Sequence, residues 1–306
     1  MARGYEPGEN IHSRAVPNEC DQRAHPPSRI EEPHDQIRGE REQGTASQTN
    51  SGTARFLEPR KVHEIRGRTY RLRSSEIATM VDVGKFRAIA QEDLTEFAYG
   101  SDKRRLGPDV ENLVRQGLVQ MKSIPHEETG SRRLLALTKA GHRFLTANRI
   151  ADKQQALYFG FRKPPEAHHD ADLYRLYQKA ADKIQRAGGQ NLRVVLDYEL
   201  KKKVFHDLAK LGPDRTSAES KRAVAEHHGL QVVRGKIPLP DVRIEYDTAA
   251  WERARVDIEL ATSHYRGRHL AEKVRAGFSI YAHANDVANL RRVLDQRELT
   301  AEILSL

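Results

Sequence analysis

Apolar positions between Ser74 and Gly117 recur at helical spacing. Ile77, Met80, Val81 and Gly84 follow Ser74 and Ser75, both N-cap residue types, and predict a first helix. AQEDLTEFAYG supplies a second, and RRLGPDVENLVRQG a third that ends at Gly117. The period then changes from 3.6 to 2. Leu118 to Ile124 and Arg132 to Thr138 alternate as strands around the loop PHEETGS, and another helix opens after Thr138. Continuation of that helix over Arg149 to Phe161 is expected, with Lys163-Pro164-Pro165 as its stop.

Beyond the prolines, Leu173, Leu176, Tyr177, Ala180 and Ile184 form an amphipathic stripe that stops at Gly188-Gly189. LRVVLDYELK reads as a strand with Leu192, Val194, Leu196, Tyr198 and Leu200 on one face. A helical insert ending in HHG leads to Pro240-Asp241. Val242, Ile244 and Tyr246, then Val256, Ile258 and Leu260, predict two further strands. GRHLAEKVRAG is a helix pattern, FSIYAHA a strand, DVANLRRVLDQ a helix and AEILSL a last short strand. The order α-β-(α)-β-β-α-β-α-β predicts an α/β domain.

Three helices, a hairpin and a closing helix are the parts of a winged helix-turn-helix, expected over residues 66–150. The α/β domain is expected over 166–306, with 151–165 as linker. Residues 1–55 are rich in Pro, Gly, Gln, Ser, Glu and Arg and lack a periodic pattern, so a disordered tail is expected there. At 306 residues, two cores are the ordinary expectation. Cys20, the only cysteine, falls in that tail and rules out a disulfide framework or a cysteine-rich zinc site. No apolar run reaches the roughly 18 residues of a membrane helix, so the expectation is a cytoplasmic protein without a membrane partner.

Charge sharpens this division. The formal net charge is +9, yet residues 1–55 carry 7 basic and 9 acidic side chains, whereas residues 56–149 carry 18 and 12. A basic excess in the folded part favours a polyanion as partner. In a winged helix the recognition helix needs cations and hydrogen-bonding groups, and the wing needs Arg or Lys to reach phosphates. Lys103, Arg104, Arg105, Asn112 and Arg115 on the third helix, with Arg132 and Arg133 beside the wing turn, are therefore the expected contacts to double-stranded DNA. Gly107-Pro108 interrupts that helix. Either the helix starts at Pro108, leaving the three basic residues in a loop, or it is kinked.

The second half carries a candidate for metal-assisted phosphodiester chemistry. Such cleavage needs carboxylates converging on an ion of the Mg2+ type and a cation near the scissile phosphate. Asp241 opens one strand, and Glu259 stands on the next, in an outward row with Asp257. This arrangement resembles the PD-(D/E)xK nuclease skeleton. The usual lysine position holds Ala261, and Lys273 in the following helix, or Arg266 and Arg268, could replace it. An alternating row of charges is also what a solvated sheet face looks like. His168-His169 and His227-His228 read as capping, surface or phosphate-contact groups before metal ligands, because adjacent histidines rarely face one ion.

Taken as a set, RGRTYRLRSSEIATMVDVGKFRAI, DKRRLGPDVENLVRQGLVQMK, LLALTKAGHRFL, HHDADLYRLYQKA, LPDVRIEY, VDIELATSHYRGRHLAEKVRAGFSIY and AEILSL resemble the replication-relaxation family of plasmids and other mobile elements, from about Arg66 to Leu306. The resemblance implies DNA binding through the winged helix and a role in replication or relaxation of mobile DNA. The family pattern is a Pro-Asp, an acidic strand E-x-D-x-x-T and a lysine in the next helix. Asp241, Glu259 and Lys273 match it, which implies a Mg2+-type ion on the two acids with Lys273 beside them. Ala261 replaces the second acid, and Thr262 stands one place early. A non-catalytic winged-helix transcription regulator, whose second domain forms a homodimer, is the competing expectation.

Overall fold

Glu76 determines where the first helix begins. Its Oε2 accepts the backbone N–H of Arg73 at 2.8 Å, so Arg73 takes the cap position, and Ser74 and Ser75 fall inside the first turn of α1 (Ser74–Phe86). A serine cap was the expectation. Ser75 serves a different bond, donating to Asp109 at 2.6 Å. The computed structural model describes residues 58–126, 130–262, 265 and 267–306. The tail expected over residues 1–55 lies outside the described residues.

Before α1, the hairpin β1 (Lys61–Ile65) and β2 (Arg68–Leu72) turns at Arg66-Gly67, both with positive φ. After α1 come a two-residue strand β3 (Ile89–Ala90), the short α2 (Gln91–Asp93) running into a π-helical turn over Leu94–Ala98, and α3 (Lys103–Arg115). Pro108 does not break α3. Asp102 caps it by accepting from the N–H groups of Arg104 and Arg105 at 2.9 and 3.3 Å, and Leu106, Val110 and Leu113 are buried beneath it. An internal proline costs about 3 kcal/mol. Three buried aliphatic side chains at roughly 1.5–3 kcal/mol each exceed that cost, so the helix runs through Gly107-Pro108.

Strands β4 (Val119–His126) and β5 (Gly130–Leu137) form a long antiparallel hairpin, and β3 adds to β5 to give the order β3-β5-β4. Helix α4 (Lys139–Ala147) follows, capped by Thr138. Its expected continuation to Phe161 does not occur. Asn148 bonds its own amide to the Phe144 carbonyl, and Arg149 takes φ 51°, which turns the chain out of the helix. Residues 150–163 run without helix over the surface of α1. Tyr158 N–H donates to the Gly84 carbonyl at 2.7 Å, and Gly160 N–H to that of Leu137 at 2.9 Å. A Cβ on Gly84 would stand 3.1 Å from Leu157 and 2.9 Å from Leu137, so this close approach needs glycine.

Pro164 and Pro165 open a helix instead of closing one. They occupy the first turn of α5 (Pro164–Arg186), where the missing proline N–H groups would be unpaired anyway. The remainder is β6 (Gln190–Leu196), α6 (Asp197–Lys210), a 3-10 turn, α7 (Ala218–His227), β7 (Val242–Asp247), β8 (Arg253–Ala261), α8 (Gly267–Arg275), β9 (Ser279–Ala282), α9 (Ala284–Asp295) and β10 (Ile303–Ser305). The expected strand over LRVVLDYELK stops at Leu196, because Asp197 starts α6 and carries Tyr198 and Leu200 into it. The sheet order is β10-β9-β8-β7-β6, with β6, β7 and β8 antiparallel and β8, β9 and β10 parallel.

One face of this sheet, with Val194, Leu196, Val242, Ile244, Ile258 and Leu260, packs on α5. The other, with Val195, Ala261, Ile280 and Ala282, packs on side chains of α6 to α9. The architecture is mixed α/β. Tyr174 on α5 meets Phe86 at 5.2 Å and Phe97 at 6.2 Å between ring centroids, so the apolar cluster under α1 continues without a gap into that of the large sheet. No described helix is long and apolar enough to cross a membrane.

Candidate functional site

Running through Pro108 places the basic residues of α3 on the helix, not in a loop. Arg104, Glu111 and Arg115 share its exposed face, with Val114 at its margin, while Lys103 is exposed at the first turn, beside the stripe that Leu106, Val110 and Leu113 bury. Lys103 and Arg104 have no carboxylate partner among the described residues. Arg115 donates to Asn112 Oδ1 at 2.9 Å and stays exposed. Asn112 is not available to a base edge. It is 4% exposed, and its Nδ2 donates to Glu76 Oε1 at 2.9 Å and to the Arg71 carbonyl at 3.1 Å. Arg105 is half-buried, with its Nε enclosed.

The network that claims Asn112 fixes the pose of α3 on α1. Asp109, 1% exposed, accepts from Ser75, Tyr99 and Arg73 at 2.6, 3.1 and 3.2 Å. Glu76 accepts from Arg60 at 2.8 Å. Burial, with Asp109 beside it, pushes the Tyr99 phenol above its ordinary range, so it stays a donor.

The wing separates its two arginines by the strand period. Arg132 pairs with Ile124 and points inward, whereas Arg133 pairs with Ser123 and is exposed. The Arg132 guanidinium is 5% exposed and reaches Asp172 on α5 at 2.8 Å, Glu92 at 3.0 Å and Asp93 at 3.3 Å. It braces the hairpin against α2 and α5 and cannot reach a phosphate, which corrects the expectation for that residue. Arg175 grips the same Asp93 at 2.9 Å, and His283 stands 3.3 Å from Asp172.

Asp241, Glu259 and Lys273 come together where β7 begins and β8 nears its end. Lys273 Nζ lies 2.7 and 2.8 Å from the two Glu259 oxygens and 2.6 Å from the Leu239 carbonyl. The hydroxyl of Tyr265 donates to Glu259 Oε1. Asp241 Oδ2 accepts the Leu260 N–H at 2.9 Å and has His169 Nε2 at 3.6 Å. Glu259 does not stand on a solvated row as expected: it has no exposed surface, because the α8 side of β8 is covered. Asp257 on the same strand is half-buried and spends both oxygens on Arg243, at 2.6 and 2.9 Å. Arg268 pairs with Glu272 within α8, and Arg266 lies outside the described residues.

Burial pushes Glu259 up to about 7, with the Asp241 charge adding to the rise and Lys273 and Tyr265 opposing it. For His169, desolvation favours the neutral ring, but the Asp241 carboxylate at 3.6 Å, with Asp170 and Asp172 near, outweighs it and raises it to about 9. The cluster is therefore a closed charge balance. Its member Tyr265 was absent from the sequence reading, and His169 was not assigned to this cluster there. Their signals were faint: Tyr265 stands six residues after Glu259, and His169 sits within a histidine pair assigned to capping or the surface.

A Mg2+ ion asks for near-octahedral oxygens at about 2.1 Å and keeps several waters. Glu259 has both oxygens engaged by hydrogen-bond donors and no exposed surface, and Ala261 is sealed into the apolar cluster. These residues do not fit Mg2+ as they stand, and no cleavage step follows from them. No family model matches the chain, and no curated protein matches it. Among solved structures, the crystal structure of Bacillus subtilis PadR in complex with operator DNA is similar over 50% of this chain and 91% of that chain, at 13% identity and a TM-score of 0.21, too low to carry an argument.

Proposed function

We propose that the chain binds double-stranded DNA through α3 and the β4–β5 hairpin, as a winged helix-turn-helix. The observation that carries this reading is the exposed surface of α3, where Lys103 and Arg104 stand without carboxylate partners among the described residues and Arg115 follows. The order of α1, β3, α2, α3 and the β4–β5 hairpin, with β3 added to β5, supports it. The contact set that remains from the sequence reading is Lys103, Arg104, Arg115 and Arg133, with Arg105 at its edge. Asn112, the amide of the expected set, is buried and contributes no base contact.

Fluorescence-anisotropy titration of a duplex across a salt series tests the reading. Each phosphate contact contributes about −0.9 to the slope of log affinity against log salt. Replacing Lys103 and Arg104 by alanine should weaken binding and flatten that slope by roughly 2. Affinity and slope that both survive the double replacement would reject the proposal.

In this reading, the part of the chain from α5 onward has the restriction-endonuclease-like arrangement that the sequence suggests, without metal-dependent cleavage. Convergence of Asp241, Glu259 and Lys273 favours a relationship to such nucleases, while the engaged oxygens of Glu259 favour a regulator over an enzyme. Incubating supercoiled plasmid with Mg2+ or Mn2+ should leave it intact. Nicking that disappears in Asp241→Ala would overturn the non-catalytic reading and restore a role in replication or relaxation of mobile DNA. Sedimentation analysis would test the homodimer that the regulator reading assigns to this part.

A further inference from the structure

Helices α6 and α7 lie between β6 and β7 and take no part in the proposed DNA contacts. Three ligand-type side chains meet at one end of this excursion. Asp207 comes from the last turn of α6, His227 ends α7, and His228 is its C-cap. His228 Nε2 stands 2.9 Å from Asp207 Oδ2 and His227 Nε2 4.0 Å from it, and the three ligand atoms lie within 4.8 Å of one another. A four-coordinate ion with bonds of about 2.0–2.2 Å sets its donors roughly 3.3–3.6 Å apart. The observed separations bracket that value. His227, with its side chain 74% exposed, is free to close the wider gap.

We propose that Asp207, His227 and His228 bind a zinc-class divalent cation, with a fourth position left to solvent or an anion. Imidazole nitrogens select zinc-class ions over Mg2+ or Ca2+, so this site is chemically separate from the Asp241–Glu259 cluster. Adjacent histidines seldom share an ion, but here the helix ends between them. His227 belongs to the last turn, and His228 turns inward with 12% side-chain exposure.

The supporting bonds are already in place. Arg243, clamped by Asp257, donates to the His228 carbonyl at 2.6 Å and fixes the end of α7. Lys210 holds Asp207 Oδ1 at 3.0 Å and leaves Oδ2 directed at the histidines. Such outer bonds orient ligands and commonly govern affinity by 10–100-fold. Binding would replace the His228–Asp207 hydrogen bond, leave the neutral ring of His228 protonated on Nδ1 instead of Nε2, and staple α6 to α7. Lys203, Arg253 and Arg255 line the adjoining cavity together with Glu245, and of the three cations Lys203 is paired with Glu199 and Arg253 with Asp247.

Calorimetric titration of the full chain with zinc chloride should show one saturable site per chain, unaffected by excess magnesium chloride. His227→Ala, at an exposed position that folding does not need, should weaken it at least about tenfold. Asp207→Asn should do the same, with circular dichroism confirming the fold. Cobalt chloride should give the visible absorption of a four-coordinate ion in the native chain and not in His227→Ala. Absence of a saturable site, or a site whose affinity both replacements leave unchanged, would overturn the proposal.

Discussion

Arg132 and Arg133 are neighbours in sequence with opposite surroundings, and replacing each by alanine should separate stability from DNA binding. Arg132 is 5% exposed and answers three carboxylates, of which Asp93 has no exposed surface. Removing one partner of a buried ion cluster typically costs 3–5 kcal/mol, because the charges left behind are desolvated and unpaired. Arg175 still holds Asp93, which places the expected loss for Arg132→Ala near the lower end, about 3 kcal/mol. At roughly 2–4 °C per kcal/mol for a unit of this size, Tm should fall by about 6–12 °C. Arg133→Ala touches only an exposed strand face and should stay within about 0.5 kcal/mol of the parent. In DNA titrations the order reverses: Arg133→Ala should lower affinity and reduce the salt slope by about 1, while folded Arg132→Ala should keep the parent slope. The assays are differential scanning calorimetry and anisotropy titration at several salt concentrations. Equal stabilities for the two variants, or a reduced slope in folded Arg132→Ala, would refute the assignment of one arginine to the interior and the other to the ligand.

Glu259, held at about 7 in the fold against 4.5 as a free carboxyl, keeps its proton to higher pH than the unfolded chain does; its contribution is fully present below about 4.5 and lost as pH rises through about 7, by at most roughly 3 kcal/mol. Glu259→Gln should flatten the fall of unfolding free energy across that window in urea titrations, and an unchanged slope would exclude Glu259 as its source. Gly141→Ala ordinarily favours a helix by about 1 kcal/mol, yet a Cβ there would meet the Leu118 carbonyl oxygen at 2.0 Å. A net loss of about 1–3 kcal/mol is therefore expected in thermal unfolding, and a stabilised variant would contradict the close contact of α4 with that carbonyl.

What the sequence made legible was periodicity and what it hid was partnership. The order of helices and strands from α5 onward could be read because each element carries its own apolar stripe, and Pro240-Asp241, Glu259 and Lys273 could be aligned along it. The two-residue strand β3 could not be read, since Ile89 and Ala90 are a strand only through pairing with Leu135 and Leu134. Pro164 looked like a stop because proline ends helices from inside and begins them from the first turn, and sequence alone does not say on which side of it the helix lies. Arg132 and Asn112 looked like ligands for DNA because their type suits that task. Only the folded chain brings Asp172, Asp93 and Glu76 to them, from 40, 39 and 36 residues away. The same long-range closure turned the expected solvated row of Glu259 into a buried cluster.

Helix α5 has a consequence for how this protein can be handled and how it can respond. On one side its His168 meets the Pro125 carbonyl of the hairpin at 2.7 Å and its Asp172 holds Arg132; one residue after His168, His169 faces Asp241. Cutting the chain between residues 150 and 164 would strip Tyr174 from Phe86 and take Asp172 from Arg132 and Arg175 from Asp93, so a fragment ending there should be a sticky, partly melted species instead of a minimal DNA-binding reagent. The intact unit should melt in a single transition. In the proposed DNA complex, a force on the hairpin would reach α5 through His168 and Asp172, and the residue after His168, His169, faces the carboxylate cluster.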